Sequence, residues 1–158
     1  MINNFYKRLF VVLLAVLQPF IILMVCEDDI ISISGSWRTE LQPLFIITNI
    51  LVSSFFYKLK KWKIPAISLF LLTAFSVDVY PMTHNIIAAV FFISSFYSLL
   101  KAKRFKYYSI VYLSSLIMGA LYGLFSFETW SIVTLCVYHI HLLWYKHKLS
   151  LRKNSNRF

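Results

Sequence analysis

Fifteen of the sixteen lysines and arginines lie in four clusters, and between consecutive clusters the chain passes through two long apolar runs. Lys7 and Arg8 form the first cluster, Lys58, Lys60, Lys61 and Lys63 the second, Lys101, Lys103, Arg104 and Lys106 the third, and Lys146, Lys148, Arg152, Lys153 and Arg157 the last. The alternate connections carry no basic residue except Arg38. All six acids, Glu27, Asp28, Asp29, Glu40, Asp78 and Glu128, fall in or beside them. Lysine and arginine are retained on the cytoplasmic side of a bilayer, so charge that alternates with every second run predicts a chain that crosses the membrane repeatedly.

The apolar runs cover residues 9–26, 41–57, 64–80, 82–100, 107–127 and 129–145, each 17 to 21 residues long. At helical rise they extend about 26 to 32 Å, which matches a hydrocarbon core of about 30 Å. They lack the alternating polarity of a membrane β-strand, and lipid offers the backbone no hydrogen bonds, so helices are the consistent reading. With 59% hydrophobic and 14% charged residues, the composition does not suit a water-soluble domain of this size. The expectation is an all-α, polytopic membrane bundle: one integral domain over residues 1–158, six transmembrane helices, and both termini cytoplasmic. Residues 146–158 form a basic cytoplasmic tail, and the charge bias points to a bacterial inner membrane.

The net charge of +10 is accounted for by topology, so nucleic acid is not an expected partner. Residues 23–26, Leu-Met-Val-Cys, lack the small residues of a lipoprotein cleavage site, and the first run is long for a cleaved signal core. Gln18 and Pro19 predict a kinked, internally packed first helix. Cys26 and Cys136 fall at different depths, so two free thiols are expected, with no metal motif and no cofactor. Tyr6, Trp62, Tyr107, Tyr108, Trp130, Trp144 and Tyr145 lie near run ends, where interfacial anchors belong. Ser115, Gly119 and Gly123 recur every four residues, a small-residue face for close helix packing. Its partner is either another helix of the same chain or a second copy or other membrane protein.

Polar groups inside a bilayer are costly, so they mark candidate sites. Asp78 and His84 flank the tight connection between the third and fourth runs, and a helical hairpin brings them to similar depth. Glu40, Glu128, Arg38 and Ser34 belong to the same outer level. This set suits a proton relay, an acid-base pair or a metal site, and equally a structural arrangement in which Asp78 pairs with Arg38. Asn49, His139 and Gln18 are the deeper polar residues, with Ser94 as a further candidate, suited to interhelical hydrogen bonds or a polar cavity. His139 and His141, two apart on a helix, point away from each other and do not share a ligand.

Ser32 and Ser34 in the first outer loop, Glu40, Phe45 and Asn49, Tyr80-Pro81, and the run from His84 through Ala88-Ala89 to Phe91-Phe92 form a pattern over nearly the whole chain. The pattern resembles bacterial six-helix membrane proteins of unknown function that are distantly similar to the damage-regulated autophagy modulator family. The resemblance implies a six-helix bundle with cytoplasmic termini. By position it implies that Ser34 and His84 matter, and it transfers no catalytic residues.

Three function classes follow. The first, favoured because the chain is small and lacks a catalytic cluster, is a non-enzymatic bundle that binds or senses lipid or supports a membrane assembly. The second is a metal-dependent membrane lipid hydrolase using Asp78 and His84, although the paired histidines on one helix that such enzymes use are absent. The third is a small proton-coupled transporter with Asp78, His84 and His139 along its path.

Overall fold

The computed structural model describes residues 2–26, 32–102 and 105–155, and among them the chain forms six α-helices, two 3-10 turns and no strand. The helices are α1 (Ile2–Val25), α2 (Gln42–Tyr57), α3 (Lys63–Leu72), α4 (Pro81–Leu100), α5 (Tyr107–Tyr122) and α6 (Leu124–Ser155). The turns, Ile33–Arg38 and Lys60–Trp62, lie before α2 and α3. Prolines in the first turns of α2 and α4 start those helices, where a missing N–H costs nothing. Each helix packs against its neighbour in chain order, and α1 closes against α6, so the bundle is a ring. The acids at 27–29 and the basic residues at 103–104 lie outside the described residues.

The helices coincide with the six apolar runs, but three boundaries depart from expectation. The third run was expected to be helical over 64–80, yet α3 stops at Leu72 after 10 residues, about 15 Å of rise. The Thr73 hydroxyl bonds back to the Phe70 carbonyl, and the amides of Thr73, Ala74 and Phe75 take the carbonyls of Phe70 and Leu71. This hydroxyl competes with the helix ladder, and Pro81 biases Tyr80 away from helical backbone. Residues 73–80 therefore run as turns. Hydropathy averaged over the run does not register this break, because Ala74, Phe75, Val77 and Val79 offset Thr73, Ser76 and Asp78 while the backbone changes course.

The fifth run was expected to reach residue 127, but α5 ends at Tyr122. Gly123 follows with φ +88° and ψ 178°, a backbone conformation essentially restricted to glycine. It is the corner between α5 and α6, and no atom would meet a Cβ placed there within 4 Å. Gly123 therefore does not belong to the packing face assigned to it with Ser115 and Gly119. At Gly119 a Cβ would lie 2.9 Å from the Cβ of Phe127, so that glycine does permit close approach, and its partner is α6 of the same chain. Ser115 is buried and bonds the Tyr112 carbonyl. The sixth helix is longer than 129–145 and carries residues 146–155 as a helical extension of the bundle. His147 on that extension stacks on Phe5 of α1, which ties the two helices near the chain's ends.

Pro19 lies within α1 without ending it. Among the described helices, two are by themselves long and apolar enough to cross a membrane, Phe5–Val25 and Pro81–Leu100, while Gln42–Tyr57 and Tyr107–Tyr122 are shorter apolar helices. Trp62, expected as an interfacial anchor, is instead core. It is 3% exposed and packs on Phe56 and His139 at ring-centroid distances of 5.0 and 4.5 Å. Tyr6 and Trp144 do lie exposed, and the Trp130 indole donates to Ser114 Oγ at 2.8 Å across α5 and α6.

Candidate functional site

Five of the polar residues singled out from the sequence converge inside the ring. Gln18 of α1, Ser34 of the first 3-10 turn, Asn49 of α2, His84 of α4 and Glu128 of α6 line one interior cavity of about 40 Å³. A second cavity of about 40 Å³ shares Gln18 and Asn49 with the first and continues past Thr48 towards Cys136. Each has more than the space one water molecule requires. Apolar walls from Leu69, Phe91 and Ile132 run along both.

His84 is held by the broken end of α3. Its Nδ1 lies 2.6 Å from the Phe75 carbonyl oxygen. A carbonyl only accepts, so Nδ1 carries the proton, and in the uncharged form of the ring Nε2 presents a lone pair. Nε2 is buried and has no hydrogen-bond partner within the protein, and the same is true of Gln18 Nε2 and Thr48 Oγ1. The interior thus offers an acceptor on α4, an amide donor on α1 and a hydroxyl on α2. An unpaired buried polar group costs about 1–3 kcal/mol, so three of them around shared cavities form a place where a polar guest is stabilised.

Glu128 forms the roof. It is 7% exposed, and its Oε2 accepts the Ile33 amide at 2.5 Å, with the Ser34 amide also directed at the carboxylate. The first 3-10 turn is folded for this contact. Ser32 caps it by accepting the Gly35 amide, the Ser32 and Ser34 hydroxyls bond each other at 3.0 Å, and Thr39 closes its far end on the Ser36 carbonyl. Ile33 then packs with Ile22 and Phe45. The Ile33–Arg38 turn is a plug whose buried hydrogen-bonded tie to the bundle is the Glu128 carboxylate.

The remaining candidates lie elsewhere. Asp78 was expected near His84, but it is on the surface in an ion pair with Arg38 and does not line the cavity. Such exposed pairs contribute about 0–1 kcal/mol. Glu40 is exposed and also outside the cavity. His139 is fully buried among the rings of Phe55, Phe56, Trp62 and Tyr138, and neither ring nitrogen has a hydrogen-bond partner within the protein. Phe56 separates it from the second cavity, whose wall it forms. His141 points away from His139, to the hydroxyls of Tyr107 and Tyr108 at 3.2 and 3.3 Å.

Among the described residues, no three His, Cys, Asp or Glu side chains come together as a ligand set. Sequence reasoning missed Thr48, whose signal was its position beside Asn49 in the middle of an apolar run. It also missed the Phe75 carbonyl, which no side-chain pattern announces. No family model, no curated protein and no solved structure matches this chain, so the resemblance noted above rests on the quoted residues alone.

Proposed function

We propose that this chain is an integral membrane protein with six spans and both termini cytoplasmic. In this reading it works as a non-enzymatic bundle that binds or senses lipid, with a small polar chamber under its outer plug. The observation that carries this reading is an inverted distribution of polarity. Large apolar side chains are exposed on every helix, among them Leu23, Ile47, Phe70, Ile93, Ile117 and Val137. Gln18, Thr48, Asn49, His84, Glu128 and His139 are buried. Water penalises both halves of that arrangement, whereas a bilayer rewards the first and tolerates the second when the groups face the bundle. The non-helical stretch 73–80 fits the same environment, because irregular backbone at membrane depth is tolerated where protein groups satisfy it, as His84 does for Phe75. The basic clusters then mark the cytoplasmic rim, and the bacterial inner membrane is the location this charge bias fits.

Fractionation and labelling test this. The protein is expected to stay with membranes through a high-pH wash. In a Cys26→Ser background, a membrane-impermeant maleimide should label Thr83→Cys on intact spheroplasts and Lys148→Cys only after permeabilisation. Release by the wash, or labelling of both positions from the same side, would refute the six-span reading.

A second reading, a small proton-coupled transporter, is favoured by the two cavities in series. They join Glu128 and His84 to Gln18, Asn49 and Thr48, with His139 beyond the Phe56 wall. Here His84 acts with Glu128, and Asp78 takes no part. In liposomes under a pH gradient, this reading expects proton flux that falls to the level of empty vesicles in both His84→Gln and Glu128→Gln. No flux from the wild type would discard the transporter and leave the binding bundle.

A further inference from the structure

At the opposite end from the plug, the second 3-10 turn and the start of α3 face the end of α4 across a cavity of about 450 Å³. Lys60, Lys61, Lys63 and Lys101 line it together with Ser94 and Tyr97. It is some tenfold larger than either interior cavity and falls in the size range of small-ligand sites. Four lysines thus border one cavity, while every acid in the chain lies in or beside the outer connections. Among the described residues the one ion pair is Arg38 with Asp78, far from this cluster in the sequence and on the plug side.

The lysines are solvent-exposed, and three of them, Lys61, Lys63 and Lys101, also make contacts within the fold. Lys61 Nζ donates to the Lys101 carbonyl at 2.6 Å, and Ser98 Oγ donates to the Lys61 carbonyl at 2.7 Å, so turn and helix end are clamped together. The Lys101 ammonium lies 4.2 Å over the Tyr97 ring and Lys63 lies 5.8 Å over Tyr57. Like charges around one cavity repel one another, and among the described residues no carboxylate pairs with these lysines. An anion with several acceptor oxygens does so.

We propose that this cavity binds the phosphate-bearing headgroup of an anionic phospholipid of the inner leaflet. The proposal rests on the membrane reading above, which places the lysines at the cytoplasmic rim. Basic pockets between helices on that face are suited to anionic headgroups. The acyl chains would lie along the exposed faces of Ile64 on α3 and Tyr97 on α4, both of which border the cavity.

The test uses the full chain reconstituted into vesicles of phosphatidylcholine alone or with phosphatidylglycerol, then released into mild detergent for native mass spectrometry. Resistance to high-pH extraction from both vesicle types reports membrane insertion separately from lipid preference, so failure of the membrane reading is seen on its own. The wild type is expected to retain phosphatidylglycerol over phosphatidylcholine. Lys60→Gln with Lys63→Gln should lower that retention roughly 30-fold, while Lys60→Arg with Lys63→Arg keeps most of it. Lys146→Gln with Lys148→Gln, which removes as much charge outside the cavity, should change it little. Unchanged helical circular dichroism confirms that the variants fold.

Equal loss in the two glutamine pairs would overturn the proposal in favour of diffuse surface charge. Absence of any preference in the wild type would overturn it outright. Full displacement of the lipid by millimolar glycerol phosphate would reassign the cavity to a soluble phosphate.

Discussion

Replacing Gly119 by alanine is expected to destabilise the bundle, and by valine to do so more severely. Alanine is the better helix former by about 1 kcal/mol, so intrinsic propensity predicts the opposite sign. Packing decides the outcome: the new Cβ would meet the Cβ of Phe127 at 2.9 Å, an atom fixed close to the α6 backbone that no rotamer change moves. The helices must separate, and Phe127 must shift from its place 4.8 Å from the Phe92 ring. Overpacking of this kind costs about 1–3 kcal/mol for the smaller substitution. Gly123→Ala should also destabilise, by about 1–3 kcal/mol, for a different reason: φ +88° with ψ 178° strains any L side chain, although the space is open. Side-chain size separates the two mechanisms. Unfolding by SDS titration, followed by circular dichroism, should show losses that grow from alanine to valine at Gly119 and stay nearly flat at Gly123. A Gly119→Val protein as resistant as wild type would mean that α5 and α6 do not meet as described.

These two glycines also show what a sequence reveals and what it conceals. Spacing every four residues put Ser115, Gly119 and Gly123 on one face, but spacing carries no information about where a helix ends, and Gly123 lies beyond that end. The number and order of helices were legible because hydropathy and charge act over many residues, where single errors average out. The break after Leu72 was not, since it turns on one hydroxyl, one proline and a carbonyl that His84 satisfies. The site divides in the same way. Gln18, Asn49, His84 and Glu128 each stood out as polar groups too costly to leave in an apolar setting without a use. Which of them meet was not written in their separation along the chain. Asp78 is six positions from His84 yet turns outward to Arg38, forty residues earlier. Glu128, forty-four positions later, shares the cavity because the ring closes α6 against α1.

Glu128→Leu is expected to release the Ile33–Arg38 plug while leaving the helices folded. The leucine is close in volume and apolar, so the wall it forms with Ile132 and Phe92 is largely kept. What disappears is the acceptor for the buried Ile33 amide, whose orphaning costs about 1–3 kcal/mol. No other acceptor holds the turn at that point. Of its remaining hydrogen bonds, Ser32 to Gly35 and Thr39 to Ser36 are internal and move with it, and the one that leaves the turn, Arg38 to Asp78, is a solvent-exposed pair at its far end that contributes about 0–1 kcal/mol. Glu128→Gln keeps a carbonyl oxygen at the same reach and should preserve most of the tether. Hydrogen exchange in nanodiscs reads the difference directly. The amides of residues 33–36 should exchange roughly 5- to 150-fold faster in the leucine variant, the factor equivalent to about 1–3 kcal/mol, and only slightly faster in the glutamine variant. Amides in the middle of α4 and α6 should not change in either. If α6 loses protection along with the plug, Glu128 supports the bundle as a whole. If neither region changes, the contact with Ile33 does not hold the loop, and the chamber has no lid of this kind.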